Sequence, residues 1–169
     1  MYIEEKIQQS LLWKILLKIQ RYILVFVTIV IVSVLGGVVI TRYLLHVNFL
    51  GYDEIILVAA YWMYFIGSAR ASYEESHIAV NIIEQYLSPS TSLKVSIISK
   101  IIQFIIGIPL IYLAFEMLHW DIKANPTTSD WEIPLLIPQT AIMLGFILMT
   151  FYSFVYILRD YHKLISKNY

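Results

Sequence analysis

The sequence predicts an all-α membrane protein with four transmembrane helices, an N-terminal interfacial amphipathic helix and both termini in the cytoplasm. Of the 169 residues, 59% are hydrophobic and 14% are charged, whereas a soluble domain has about 25% charged residues. Four stretches contain no charged residue: Tyr22–Thr41, Ile55–Ala69, Ile101–Phe115 and Ile133–Leu158. A soluble domain of this size needs charged residues on the outer face of every element, so the composition excludes that class.

The composition excludes other classes as well. The chain has no cysteine, so disulfides, cysteine-based zinc sites and thiol chemistry are not expected. Twelve basic and twelve acidic residues give a net charge of zero, which provides no basic surface for nucleic acid. The high hydrophobicity excludes disorder. We therefore predict a single membrane domain over residues 1–169.

The charge-free stretches define the transmembrane spans, because crossing a bilayer takes about 20 helical residues. Arg70 and Lys100 lie near the ends of their spans, where long side chains can reach back to the headgroups. The fourth stretch is overlong, and Pro138 suits the first turn of its helix. The predicted spans are about 22–41, 52–72, 95–115 and 138–158.

Lysine and arginine predict the orientation. Ten of the twelve precede span one, connect spans two and three, or follow span four. Only Arg42 and Lys123 lie on the other side. Because cytoplasmic loops carry the excess of basic residues, both termini are expected in the cytoplasm, with 159–169 as a cytoplasmic tail. The outer loops are acidic.

Residues 1–21 are predicted to contain an amphipathic helix lying in the cytoplasmic membrane interface. One face is apolar, with Leu12, Ile15, Leu16 and Ile19. The opposite face carries three cations expected to contact lipid headgroups, namely Lys14, Lys18 and Arg21. A helix packed against another subunit has the same apolar stripe, so both interpretations stay open.

The spans lack the groups that membrane chemistry uses. Ion-coupled carriers and membrane enzymes place ionisable residues inside their spans, and this chain has none near mid-membrane. The four histidines lie at or beyond span ends, which disfavours a buried haem: His46, His77, His119 and His162. No nucleotide-binding or metalloprotease motif is present. We expect a non-enzymatic protein without cofactor or metal. The alternatives are a membrane-anchor or haem subunit of a respiratory enzyme and an autonomous four-helix exporter.

Span two contains polar aromatic residues at mid-membrane. Tyr61, Trp62 and Tyr64 lie outside the usual interfacial belt, so their polar atoms need protein partners. Gly67 follows, where a small residue permits close helix packing. These four residues are predicted to contact a second subunit or the rest of the bundle.

The order of several short motifs resembles a known family. Span one ends in Thr41-Arg42-Tyr43, Asp53-Glu54 opens span two, and Gly67-Ser68-Ala69 closes it. Arg70 and His77-Ile78-Ala79-Val80-Asn81 follow, and Ile137-Pro138 introduces span four. From about Tyr22 to Asp160 this resembles the small membrane subunit of tripartite ATP-independent periplasmic (TRAP) transporters. Asn81 departs from the usual aspartate of that family.

The resemblance implies a scaffold role in a bacterial inner membrane. A large multi-span subunit carries an organic acid by an elevator movement driven by sodium. A soluble periplasmic protein captures the acid and docks on the membrane subunits. The small subunit holds no substrate or sodium site, binds no nucleic acid, and contacts its protein partners and lipids. The particular organic acid is not indicated.

Two sets of residues are candidates for specific roles. The first is helix-end ion pairs, with Arg42 pairing to Asp53 or Glu54 on the outer side. On the inner side, Arg70 and His77 are candidates to pair with Glu74 or Glu75, or to bind lipid phosphate. The second is a set of outer-loop residues for docking the periplasmic protein: His46, Asn48, Tyr52, Asp121, Asp130 and Glu132.

Overall fold

The computed structural model describes residues 11–75 and 89–166 and contains four long helices. They are α1 (Leu11–Tyr43), α2 (Tyr52–Tyr73), α3 (Pro89–Ala124) and α4 (Leu136–Ser166). All four are long and apolar enough to cross a membrane, which confirms the predicted number of spans. Within the described ranges, β pairing is limited to one isolated antiparallel bridge between Thr127 and Pro134.

Three of the four helices continue well beyond the predicted spans. The largest extension is in α3, which is 36 residues long. It begins at Pro89, a residue that suits the first helical position, and it ends before Asn125, whose φ is +44°. Helix α4 begins at Leu136, so Pro138 lies in its first turn rather than at its first position. The charge-free stretches of the sequence therefore marked the apolar part of each helix correctly, but they did not predict the polar residues that continue the helix at its ends.

The predicted separate interfacial helix is not present over Leu11–Arg21. That segment is the start of α1, which continues without a break to Tyr43. It contains neither glycine nor proline, so nothing in it interrupts the helix. The buried face also differs from the predicted stripe. Trp13 and Gln20 are buried, whereas Ile15 and Ile19 are about half exposed. Residues 1–10 lie outside the described ranges.

The helices form a row in the order α1, α2, α4, α3. Helix α2 packs between α1 and α4, and α4 packs between α2 and α3. No backbone packing joins α3 to α1 or α2 in the described part of the chain. A row differs from a closed bundle because its two end helices, α1 and α3, do not pack on each other in the described part of the chain. Many large apolar side chains on these two helices are exposed.

Small residues allow α4 to approach its neighbours closely. A Cβ added at Gly107 of α3 would lie 2.1 Å from Thr150 Oγ1. A Cβ added at Gly145 of α4 would lie 3.0 Å from the backbone oxygen of Phe65 in α2. Helix interfaces in lipid favour such residues, because lipid supplies no hydrophobic drive for association.

Candidate functional site: polar contacts at the two ends of the helices

The end of the row that is predicted to face the cytoplasm, here called the inner end, contains an ion cluster formed by Glu75, Lys100, Arg159 and Asp160. Lys100 Nζ lies 2.7 Å from Glu75 Oε2 and 2.5 Å from Asp160 Oδ2. Arg159 binds both oxygens of Glu75, with Nη2 donating to Oε2 at 2.6 Å. Arg159 Nε also donates to Asp160 Oδ1 at 2.7 Å. This inner ion cluster connects α3 and α4 with the residue that follows α2.

The cluster is partly buried, so its charges depend on one another. The side chain of Asp160 is 3% exposed, and those of Arg159 and Lys100 are 12% and 13% exposed. Removing charges from water is expensive unless they are paired and hydrogen bonded. Burial by itself raises the pKa of Glu75, but hydrogen bonds from Arg159 and then Lys100, with their charges, hold that pKa at about 2.

An aromatic cluster continues the inner contacts to α1. The hydroxyl of Tyr156 donates to the backbone oxygen of Tyr73 at 2.6 Å, and the Arg159 guanidinium lies 4.6 Å from the Tyr156 ring centre. Trp13 of α1 packs edge-on against Tyr152, whose hydroxyl accepts a hydrogen bond of 2.7 Å from Gln20 Nε2. At the inner end, side-chain contacts therefore join each of the other three helices to α4.

The opposite end of the row, predicted to face outwards and here called the outer end, is held by Glu54, which is 8% exposed in the first turn of α2. Its carboxylate accepts hydrogen bonds from the Thr128 hydroxyl at 2.5 Å and from the backbone N–H groups of Asp130 and Trp131 at 2.7 and 2.9 Å. Hydrogen bonds to an ionised acceptor are stronger than neutral ones. We call Glu54, Thr128, Asp130 and Trp131 the outer lock, which joins α2 to the loop between α3 and α4.

Trp131 extends the outer lock to the loop between α1 and α2. Its indole N–H donates to the backbone oxygen of Leu50 at 3.2 Å. A Cβ at Gly51 would lie 2.3 Å from the Trp131 ring, and Gly51 has φ +74°. Glycine is therefore required there for both space and backbone conformation.

A comparison with known families identifies the chain. A family model for tripartite ATP-independent periplasmic transporters, DctQ component, matches residues 31–163. The chain belongs to the DctQ family. This confirms the predicted resemblance and its non-enzymatic character, and it favours the transporter component over the respiratory and exporter alternatives. The comparison with curated proteins found no match. The family generally implies a DctM membrane partner and a periplasmic DctP partner.

The inner ion pairs of this DctQ component differ in part from those predicted. Arg70 Nε donates to Glu74 Oε1 at 2.6 Å, which is one of the predicted pairings. Glu75 binds Lys100 and Arg159 instead of Arg70. The prediction that Lys100 reaches back to the headgroups is wrong, because two carboxylates hold it inside the row. His77 lies outside the described residues.

The sequence analysis did not include Arg159 and Asp160 among the candidate ion-pair residues, because they lie more than 80 residues from Glu75. One feature of the sequence could have indicated the pairing of Lys100 with Asp160. Lys100 was the deepest charge in any predicted span, and a buried cation needs an acid nearby. Asp160 is the acid at the matching end of span four.

The predicted outer pair of Arg42 with Asp53 or Glu54 does not form in the described part of this DctQ component. Glu54 uses its carboxylate in the outer lock, while Arg42 and Asp53 are exposed. Arg42 instead lines a cavity of about 240 Å³ together with two predicted docking residues, Asn48 and Tyr52.

The other predicted docking residues divide into two groups. His46, Asp130 and Glu132 are exposed, as a docking role requires. Asp121 is 2% exposed, so its predicted role on the docking surface is wrong. The reason is that α3 continues to Ala124, which places Asp121 on the buried face of a helix rather than in a loop.

The aromatic residues of α2 have different environments. Trp62 Nε1 donates to the Ile137 backbone oxygen at 3.2 Å, and Tyr61 stacks on Phe65. Both contacts lie within the chain. Tyr64 is 67% exposed and points away from the row. Gly67 is in ordinary contact with Leu24, at 3.8 Å.

No group of three or more His, Cys, Asp or Glu side chains in ranges 11–75 and 89–166 is arranged to hold a metal ion. Lys14, Lys18 and Arg21 are exposed on α1. Their contact with lipid headgroups stays a prediction.

Proposed function

We propose that this DctQ component is the static scaffold of a TRAP transporter in a bacterial inner membrane. It supports the large elevator-type subunit and helps to dock the periplasmic binding protein during sodium-driven uptake of an organic acid. The observation that carries the proposal is the pair of polar contacts, the inner ion cluster and the outer lock, at opposite ends of a row of helices whose middle contains no charged residue.

Polar contacts at both ends make the row suited to a static role. Lipid supplies no hydrophobic drive between helices, so hydrogen bonds and close packing hold them together. The inner ion cluster joins α2, α3 and α4, and the outer lock joins the two outer loops. The middle of the row offers no charged side chain to an organic anion or a transported ion.

An apolar groove between α1 and α2 is the proposed contact for the large subunit. It has a volume of about 560 Å³ and is lined by Phe26, Val30, Val58 and Trp62, among others. Its lining is almost entirely apolar, which suits side chains of another transmembrane helix. Trp62 was one of the residues predicted to contact a second subunit or the rest of the bundle.

Docking of the periplasmic protein is proposed for the outer loops. The outer lock holds the loop that presents Asp130 and Glu132, and both side chains are exposed. An acidic surface steers a partner with basic residues, and its effect weakens as salt rises. The exposed His46 lies in the loop between α1 and α2. Arg42, Asn48 and Tyr52 line a cavity formed by this loop and the adjoining helix ends.

Co-purification tests the scaffold role. The tagged chain is expected to retain the large subunit when both are expressed together, and Val30→Trp, which fills the groove, is expected to lose it. Leu113→Trp is the matched control, because Leu113 is 60% exposed on α3 and lies outside the groove. Retention by both variants, or loss by both, would contradict the proposed contact.

A further inference from the structure

The loop between α1 and α2 exposes large apolar side chains although it lies outside the helices. Four of them are between 59% and 75% exposed, namely Leu44, Leu45, Val47 and Leu50. Exposed apolar residues grouped in this way mark a surface that contacts a membrane or another protein.

Hydrogen bonds hold this loop beside the end of α1. The backbone N–H of Leu44 donates to the Ile40 oxygen at 2.9 Å, and that of Val47 donates to the Thr41 oxygen at 3.0 Å. Thr41 is the last residue of the charge-free stretch of span one. The loop is therefore held where that stretch is expected to reach the membrane surface. At this depth lipid can cover the apolar side chains, whereas further out they would lie in water.

A cavity between this loop and the end of α1 combines polar and apolar groups. It has a volume of about 240 Å³, and its polar lining consists of the Arg42 guanidinium, the Asn48 amide and the Tyr52 hydroxyl. Its apolar lining includes Val38, one turn before Arg42 on the same face of α1. Leu35, almost one turn further back, continues this face and is 47% exposed. Along α1, the cation thus lies outermost and the apolar side chains lie towards the middle of the span.

The polar groups of the cavity have no partners in the described part of the chain. Arg42 forms no ion pair there, and Glu54, one of its predicted partners, is engaged in the outer lock. The Asn48 amide and the Tyr52 hydroxyl make no hydrogen bond with a described residue. All three groups are donors. A guanidinium binds a phosphate through two parallel hydrogen bonds, so the set suits a phosphate group.

We propose that this cavity binds the phosphate group of an outer-leaflet phospholipid, whose acyl chain lies along Val38 and Leu35. A phospholipid has the same order of groups as this side of α1, with an anion outermost and hydrocarbon towards the membrane interior. A free phosphate ion matches the polar groups only and leaves the exposed apolar side chains of the loop in water.

The site attaches the outer end of α1 to the membrane surface. At its inner end, α1 is already attached to α4 through the hydrogen bond of Gln20 with Tyr152. The proposal does not depend on the proposed function. It assigns Asn48 and Tyr52 to a lipid rather than to the periplasmic protein, and it leaves docking to the exposed acidic residues of the loop between α3 and α4.

Native mass spectrometry of the full chain in detergent micelles tests the site, with phosphatidylglycerol as the probe. Arg42→Gln is expected to weaken one lipid-binding step by about tenfold, because it removes a charge-assisted pair of hydrogen bonds. Lys123→Gln is the matched control and is expected to bind like the wild type. Lys123 is the other cation predicted on the outer side, and it is exposed and outside the cavity lining. Lipids held by cations at the inner end of α1 are common to all three proteins.

Two further probes separate the lipid from its parts. Inorganic phosphate has no acyl chain, and a diglucosyl diacylglycerol with the same chains has no phosphate. Neither is expected to show a binding step that depends on Arg42.

A label on a single cysteine tests the depth of the loop independently. The native chain has no cysteine. A fluorophore on Leu45→Cys, in vesicles that contain phosphatidylglycerol, is expected to be quenched by a nitroxide on the upper part of a lipid acyl chain. The same fluorophore on Ser129→Cys, in the other outer loop, is the control and is expected to be quenched several times less.

Three results would overturn the proposal. One is equal phosphatidylglycerol binding by Arg42→Gln and the wild type. Another is binding of inorganic phosphate as tight as that of the lipid, which would show an anion site open to water. The third is equal quenching at positions 45 and 129, which would place the loop outside the membrane, where a protein partner covers it. If Arg42→Gln does not fold, Asn48→Leu replaces it and is expected to weaken the same binding step.

Discussion

Arg159 of α4 forms a two-point ion pair with Glu75, which lies just after α2 and 84 positions earlier in the chain. A guanidinium matches a carboxylate in this geometry and thereby sets the orientation of both groups. Lys100 joins the same carboxylate from α3. One acid thus links three of the four helices of this DctQ component at their inner ends.

Replacing Glu75 is expected to destabilise the folded protein. Glu75→Gln removes one of the two acids that balance Lys100 and Arg159. Breaking a fully buried pair costs about 3–5 kcal/mol, and solvent screening of Glu75, which is 35% exposed, reduces the expected loss to about 1–2 kcal/mol. Unfolding in detergent by a denaturant series measures it.

The matched control for Glu75→Gln is Glu74→Gln. It breaks the exposed pair with Arg70 at the C-terminal end of α2, for which the expected loss in the free energy of unfolding is at most about 0.5 kcal/mol. Equal losses in the two variants would show that the inner ion cluster contributes no more than an exposed pair.

Protonation of Glu75 in acid is expected to lower the free energy of unfolding of the protein. Its pKa is about 2 in the folded protein, below the ordinary value of 4.5. A lowered pKa gives stability that is complete above the ordinary value and is lost as the pH falls towards the folded value. Between pH 4.5 and 2, the wild type should therefore lose more stability than Glu75→Gln. Unfolding curves across this range measure the difference, and parallel curves would contradict it.

Loss of the Glu54 charge is expected to loosen the outer lock. Glu54→Gln weakens the acceptor for the backbone N–H groups of Asp130 and Trp131. Hydrogen exchange of these two amides should accelerate severalfold. Asp53→Asn serves as the control, because Asp53 is the exposed neighbour in the same helical turn. Unchanged protection in Glu54→Gln would mean that the loop is held by other contacts.

Two glycine replacements are expected to have opposite signs. Gly51→Ala places a Cβ against the Trp131 ring at a φ of +74°, and it should destabilise the protein by more than about 1 kcal/mol. Gly36→Ala meets nothing within 4 Å in α1, and it should stabilise the helix by about 0.5–1 kcal/mol. The melting temperatures of both variants show the sign of each change. A Gly51→Ala variant with an unchanged melting temperature would contradict the steric argument that Trp131 packs tightly on Gly51.

The orientation is tested with single cysteines, which the native chain lacks. Ser129→Cys in the outer loop should react with a membrane-impermeant reagent added to intact cells. Lys94→Cys, exposed near the start of α3, should react only after the membrane is permeabilised. The reverse pattern would invert the predicted topology.

The sequence by itself determined the number of spans, the family and the absence of charged residues from the middle of the spans. These properties depend on short segments of the sequence. For the spans the reason is that a charged residue in lipid is unfavourable regardless of how the rest of the chain folds. The ends of the helices were less predictable. Helix α3 continues to Ala124, beyond the apolar stretch that marked its span, and this continuation buried Asp121.

Only the tertiary structure decided which polar residues meet. Glu54 was expected to pair with a residue on the adjacent helix, but its partners lie 74 to 77 positions away. Lys100 was expected to reach back to the headgroups, but it binds Asp160. These contacts follow from the placement of α4 between α2 and α3. No residue encodes that order alone, because it results from how all four helix faces pack together.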